Sequence, residues 1–171
     1  MATTDSQGDR LNALTEMVND TLDQSKNCAQ TAFAVLQQAF DLEGGEILKA
    51  LTPFPGIALR GETCGAVTGC LMALGLVYGR DEQDDWSGYI ASLPPARRFC
   101  RRFTEQHGST GCAHILHEKL GREFNLADPS EALEYATSGG PETCAEVLLS
   151  AVQIASGIMI RTIDEPTDSV P

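Results

Sequence analysis

The stretch "TCGAVTGCLMALGLVYG", residues 63–79, is the longest uncharged run of the chain. Its small and aliphatic residues, with Gly65 and Gly69 one turn apart, predict a helix that packs closely against its neighbours. The run is shorter than the roughly 20 residues that a helix needs to cross a bilayer. We therefore expect it in the core of a folded domain and not in a membrane.

The composition predicts one all-α domain over residues 1–171. Aromatic residues make up 6% of the chain, and 24 acidic residues against 12 basic ones give a formal charge of −12. Such an acidic surface disfavours nucleic acid and anionic membranes as partners, since both need basic patches. The first residues, "MATTDSQGDR", have neither the basic nor the apolar region of a secretory signal. We therefore expect a cytoplasmic protein.

Apolar spacing predicts a compact bundle of about seven or eight helices. Asn27 should cap a second helix that ends at Gly44–Gly45, and Asp128 followed by Pro129 should begin a late one. A loop is expected over residues 52–62. After the acidic linker "RDEQDD" we expect a short segment around Trp86, and then a helix that begins at Pro94–Pro95. The polar ends, roughly the first and last eight residues, should fray.

Four of the six cysteines lie at predicted helix starts: Cys28, Cys64, Cys112 and Cys144. A helix start carries unpaired N–H groups and about half a positive charge, which lowers a thiol pKa and stabilises the thiolate. Thiolates are the form that attacks disulfides or binds metal. In a cytosolic chain such cysteines are more often metal ligands or redox thiols than structural disulfides. We expect all four within one turn of a helix start.

The two remaining cysteines have different settings. Cys70 lies about 120° around the predicted helix from Cys64, so both cannot point into one compact site; we interpret Cys70 as a core residue. Cys100 lies at the edge of the Phe99 and Phe103 stripe. The arginines around it form the best candidate for an anion or partner contact: Arg97, Arg98, Arg101 and Arg102.

The histidine pair is a weaker metal candidate. His114 and His117 are three residues apart, so they share a helix face near Cys112. Two histidines on one helix are common without metal, and we favour the cysteines. No general base, phosphate loop or Ser/His/Asp arrangement has a recognisable sequence context, so the sequence does not establish whether the protein is an enzyme.

The motif "CGAVTG", with "NCAQTAFAVLQQAF", "HGSTGC" and "ETCAEVLLSAV", resembles a family of redox-active proteins named for a C_GCAxxG_C_C pattern. The resemblance covers about residues 25–160 and carries the four family cysteines onto Cys28, Cys64, Cys112 and Cys144. A similar domain in a multihaem cytochrome is associated with an iron–sulfur centre, so the resemblance implies cluster binding.

Three functions remain open for these thiols. The first is an iron–sulfur cluster, [2Fe–2S] by preference, on four thiolates for electron transfer or redox sensing. The second is a metal-free thiol–disulfide oxidoreductase or redox sensor, and the third a structural Cys₄ zinc site. Gly65, Ala66 and Gly69 would let backbone approach and shelter a cluster. We expect a redox protein as partner, and the sequence leaves a homo-oligomer open.

Overall fold

The computed structural model describes the backbone of residues 4–164 and the side chains of residues 9–160. Across those residues the fold is all-α, with no strand, in agreement with the prediction. The nine described elements are α1 (Thr4–Ser25), α2 (Cys28–Phe40), α3 (Gly45–Ala50), α4 (Gly56–Leu59), α5 (Gly65–Tyr78), α6 (Trp86–His107), α7 (Cys112–Leu120), α8 (Pro129–Thr137) and α9 (Gly140–Asp164).

The core lies where α2, α5 and α9 meet, with α1 and α6 packed around them. Phe33 of α2 and Phe99 and Phe103 of α6 are completely buried. Helix α7 and helix α8 pack on α9 at the edge of the bundle. This arrangement brings the starts of α2, α5, α7 and α9 toward one region.

Small residues allow the closest helix pair, α2 and α5, to approach. A Cβ atom on Gly69 would overlap the Ala29 carbonyl oxygen and would lie 2.8 Å from Ala32 Cβ. Ala29, Ala32 and Ala66 are buried at this contact. The uncharged run therefore forms the buried helix that its composition predicts.

Helix α9 is long and apolar enough to cross a membrane by length and composition alone, with a mean hydropathy of 1.6 over Gly140–Ile160. Half of that apolar window is buried inside the fold. The buried side chains include Leu148, Val152 and Met159, which contact the neighbouring core helices. The apolarity of α9 is thus the apolarity of a central core helix.

Both predicted N-caps are confirmed. The Asn27 side chain accepts hydrogen bonds from the amides of Ala29 and Gln30, and that of Asp128 accepts from Ser130 and Glu131. Helix α2, however, ends at Phe40 with Asp41 in the left-handed conformation, before the predicted Gly44–Gly45. An aspartate tolerates that conformation better than most residues, so it ends the helix before the glycines.

The prediction of a helix beginning at Pro94–Pro95 is wrong. A single helix, α6, runs from Trp86 to His107 with both prolines inside it, and the Asp85 side chain caps it by accepting from the Gly88 amide at 2.8 Å. Proline lacks an N–H group, so two carbonyls of the preceding turn lose their helical donors. The Asp85 cap and the buried C-terminal half of α6, beyond the prolines, stabilise the helix.

The predicted loop contains a left-handed turn. Gly56, Ile57, Ala58 and Leu59 all have positive φ, from 47° to 62°, and the Arg60 amide donates to the Gly56 carbonyl at 3.0 Å. Left-handed helical backbone costs roughly 1–2 kcal/mol for each residue other than glycine. Periodicity cannot predict such a turn, because its cost is offset only by contacts elsewhere in the fold.

The prediction of frayed ends falls largely outside the described residues, which exclude 1–3 and 165–171. Residues 4–8 belong to α1, and α9 extends to Asp164.

Candidate functional site

The four cysteines predicted from helix starts line a single cavity of about 20 Å³. Cys28 and Cys112 are the first residues of α2 and α7, and Cys64 is the N-cap of α5. Cys144 is the fifth residue of α9, slightly beyond the first turn. The prediction of four thiols within one turn of a helix start is therefore correct for three of them.

Backbone amides face two of the sulfurs. The amides of Cys28 and Gly65 favour the thiolate of Cys28, and the amide of Ala66 favours that of Cys64. A Cβ atom on Gly65 would overlap Cys28 Sγ and lie 2.9 Å from the Ala29 amide nitrogen. A residue larger than glycine cannot occupy this position without moving Cys28.

Gly69 packs against a neighbouring helix, as its spacing from Gly65 predicts, and not beside the thiols. Its nearest neighbours are Ala29 and Ala32 of α2, and it does not line the cavity of the four thiols. We therefore assign Gly69 to helix packing. Gly65 and Ala66 remain beside the sulfurs.

A short backbone pairing joins the second and third cysteines. Thr63 and Gly111 form an antiparallel bridge, the Cys64 amide donates to the Thr110 carbonyl at 2.8 Å, and the Cys112 amide donates to the Glu62 carbonyl at 2.6 Å. The start of α5 is thereby fixed to the start of α7. In the left-handed turn, a Cβ atom on Gly56 would lie 3.6 Å from Cys112 Sγ.

Tyr135 is a site residue that the sequence analysis missed. Its hydroxyl donates a hydrogen bond to Cys144 Sγ at 3.0 Å, and its ring packs edge-on against Phe124 at 5.8 Å between centroids. A tyrosine at mid-helix has no motif that marks it. Only the packing of α8 on α9 brings it to the sulfur.

Burial sets the protonation of the metal-free site. Burial, with a smaller contribution from neighbouring cysteines, raises the pKa of the Cys28 thiol and of the Cys112 thiol to about 12 in each case. The pKa of Cys64 is raised well above its usual range. Burial also raises the pKa of Cys144, against the hydrogen bond from Tyr135. The expectation of acidified thiols is therefore wrong for the metal-free protein, because loss of water outweighs the helix ends.

A second, larger cavity of about 230 Å³ adjoins the thiols. Cys28, Cys112 and Cys144 line it together with Tyr135, whereas Cys64 lines only the inner cavity. The rest of its lining is largely apolar: Leu22, Pro55, Gly56, Leu59, Gly61, Phe124, Leu126, Ala132 and, as its one charged residue, Lys26. No Asp or Glu among the described residues lines either cavity.

The other predicted candidates lie outside this site. Cys70 is completely buried in the core, as predicted. Cys100 is half-buried and packs against the core. His114 and His117 are exposed and line neither cavity. The α6 arginines also line neither cavity: Arg97, Arg98, Arg101 and Arg102.

A family model described as "Putative redox-active protein (C_GCAxxG_C_C)" matches residues 26–158, which contain all four cysteines of the cavity. The chain belongs to this redox-active family. Neither the curated proteins nor the solved structures gave a match to this chain.

The donor set of this C_GCAxxG_C_C protein can be compared with the needs of a metal group. Within the described residues all six cysteines are free thiols, and no three or more His, Cys, Asp or Glu side chains are placed to hold one metal ion together. A mononuclear Cys₄ site needs four sulfurs around one point. A binuclear cluster needs only two thiolates at each iron. The four family cysteines on one cavity supply the number of thiolates that either group requires.

Proposed function

We propose that this protein carries an iron–sulfur cluster, [2Fe–2S], on Cys28, Cys64, Cys112 and Cys144, and that it serves electron transfer or redox sensing in the cytoplasm. The observation that carries the proposal is the convergence of four thiols, from four separate helices, on one cavity. Helical bundles build metal centres in this way, from side chains on facing helices. The cluster would supply a one-electron redox step.

The charge around the thiols supports an anionic centre. Four thiolates with two ferric ions and two sulfides carry two negative charges, which are costly to bury without donors. Amides of Cys28, Gly65 and Ala66 and the hydroxyl of Tyr135 supply such donors. The cavity that all four thiols line has no carboxylate, which supports the same proposal, although Asp23 and Glu142 line a third cavity that Cys144 and Tyr135 also border.

The high thiol pKa values fit ligands better than free nucleophiles. A metal replaces the protons of its thiol ligands, so cluster assembly would release protons from Cys28 and Cys112 that the metal-free protein holds up to about pH 12. An exchange-active thiol, by contrast, has a pKa near ambient pH.

One observation favours a second function, thiol–disulfide exchange at the same site. Cys144 lines the larger cavity, and although burial raises its pKa, the hydrogen bond that it accepts from Tyr135 offsets part of that rise. In such a reaction Cys144 and Cys28 or Cys112 would lose two electrons and two protons in forming a disulfide. A partner disulfide would take them up and become a dithiol.

Anaerobic purification separates these functions. We expect coloured protein with two irons and two acid-labile sulfides per chain, and a paramagnetic signal after one-electron reduction. Cys112→Ser should lose iron, whereas Cys100→Ser, also at a half-buried helical cysteine, should retain it. Colourless protein whose thiols oxidise reversibly would support the exchange function instead. Equal iron loss in both variants would contradict the assignment of ligands.

A further inference from the structure

Most of the exposed large apolar side chains among the described residues lie in one stretch of the chain. Nine such residues are exposed, and six of them lie in the second half of α5 or the first two turns of α6: Met72, Leu76, Val77, Trp86, Tyr89 and Ile90. Trp86, the single tryptophan of the chain, is 68% exposed and packs against Tyr89 with ring centroids 5.3 Å apart.

The first two turns of α6 have no buried residue. From Trp86 to Leu93 every side chain is exposed or half-buried, and the buried residues of this helix, Phe99 and Phe103, both lie beyond the prolines. Most helical stability in proteins comes from packing of an apolar face. This segment presents such a face without a partner in its own chain.

Charged residues lie at both ends of this apolar face. At 100° per residue, Trp86, Ile90, Leu93, Arg97 and Arg101 lie in one stripe along α6. Beyond its N-terminal end are four carboxylates: Asp81, Glu82, Asp84 and Asp85. The acidic end is fixed to the helix, because Arg80 donates to the Asp85 carbonyl at 3.2 Å and stacks on Tyr89.

The arginines of this stripe have few partners in their own chain. Among the described residues, the one ion pair of the cluster joins Arg101 to Glu105 over 3.8 Å, with both side chains exposed. Such a pair contributes little. One helix thus has negative charge at one end, positive charge at the other and apolar side chains between them.

We propose that this face binds a second copy of the chain, with the two α6 helices antiparallel about a two-fold axis that passes between Ala91 and Ser92. Residues equally far from that axis then face each other. Ile90 meets Leu93 and Trp86 meets Arg97 in a cation–π contact, and the acidic turn before the helix, which contains Glu82, lies toward Arg101 of the second copy. Each contact occurs twice, as an isologous interface requires.

The charges on this face favour a second copy of the chain over a lipid surface as its partner. Anionic headgroups would attract Arg97 and Arg101 but would repel the four carboxylates at the other end of this face. A second copy instead presents its arginines to those carboxylates, so the local charges balance although each chain has a net charge of −12.

Paired charge reversals test the antiparallel register by sedimentation velocity. We expect wild-type protein to dimerise, and to do so less at high salt. Glu82→Lys and Arg101→Glu should each weaken self-association at least about tenfold, because each places like charges together. Their equimolar mixture should recover a heterodimer. Wild-type protein that stays monomeric up to about 100 µM, or a mixture that stays monomeric, overturns the proposal.

The single tryptophan provides an independent readout. Dilution of the dimer should shift Trp86 emission to longer wavelength, and Ile90→Glu should give the shifted emission at every concentration. Leu133→Glu is the matched control, since Leu133 is 67% exposed on α8. Circular dichroism confirms that each variant is folded. Emission that does not change with concentration in wild-type protein, or an equal effect of both variants, overturns the proposal.

Discussion

Tyr135 donates its hydroxyl proton to Cys144 Sγ over 3.0 Å, and this bond connects α8 to the start of α9 at the thiol site. Both partners are half-buried, so the bond acts where polar contacts are stronger than in water.

Tyr135→Phe removes this donor and keeps the ring. Hydrogen bonds to cluster sulfurs raise the reduction potential, so the variant should retain iron and have a lower potential. A bond worth about 1 kcal/mol corresponds to a shift on the order of tens of millivolts for a one-electron couple. Potentiometric titration measures the shift, with Tyr89→Phe as a control at a surface tyrosine. An unchanged potential would show that the hydroxyl does not act on the redox centre.

Gly65→Ala should disrupt the site directly. The added Cβ overlaps Cys28 Sγ and approaches the Ala29 amide nitrogen to 2.9 Å, so Cys28 must move. We expect iron and sulfide content to fall more steeply than stability does. Gly75→Ala is the control, because an added Cβ at Gly75 meets nothing within 4 Å. Full iron content in Gly65→Ala would mean that the backbone yields without displacing the thiol.

Gly69→Ala should act on stability. The added methyl group overlaps the Ala29 carbonyl oxygen and forces α2 away from α5, which should lower the free energy of unfolding by about 1–3 kcal/mol. Gly75→Ala, in the same helix with open space, should raise it by up to about 1 kcal/mol. Urea unfolding of both variants measures the difference. The same sign in both would contradict the close packing at Gly69.

The metal-free protein should lose stability in alkali. Thiols of the unfolded chain ionise near 9.0, whereas those of Cys28 and Cys112 in the folded protein stay protonated up to about 12. Between these values the unfolded chain releases protons that the folded protein keeps. The free energy of unfolding should therefore fall as pH rises, by at most about 1.4 kcal/mol per pH unit for each thiol.

Urea unfolding in reductant and chelator at several pH values measures this fall. Cys28→Ser/Cys112→Ser removes the two thiols, so its stability should decline less steeply over the same range. Parallel curves for the two proteins would show that these thiols ionise alike in the folded and unfolded states.

Local signals in the sequence predicted the helical class and the assembly of the four thiols. Asn27 and Asp128 act as caps, as their residue types indicate, and the start of a helix is a local property. Four cysteines at helix starts could therefore be grouped before any tertiary information was available.

The features that could not be predicted from the sequence depend on tertiary packing. Tyr135 reaches a sulfur only because α8 packs on α9, and the pKa of a thiol depends on how much of the fold covers it. Tertiary contacts also explain why α6 continues through Pro94 and Pro95. The N-cap and the core contacts of this helix outweigh the two hydrogen bonds that the prolines remove. The left-handed turn at Gly56–Leu59 is maintained by its surroundings in the same way.

The spread of the four cysteines along the chain has a consequence for the unfolded state. Any group that holds Cys28, Cys64, Cys112 and Cys144 together closes three chain segments of roughly 30–50 residues each, which removes much of the conformational freedom of the denatured ensemble. It thus acts as a removable cross-link. A chelator or an oxidant that removes the group would release all three loops at once. Loss of one small centre would therefore lower the cooperativity of unfolding of the whole bundle.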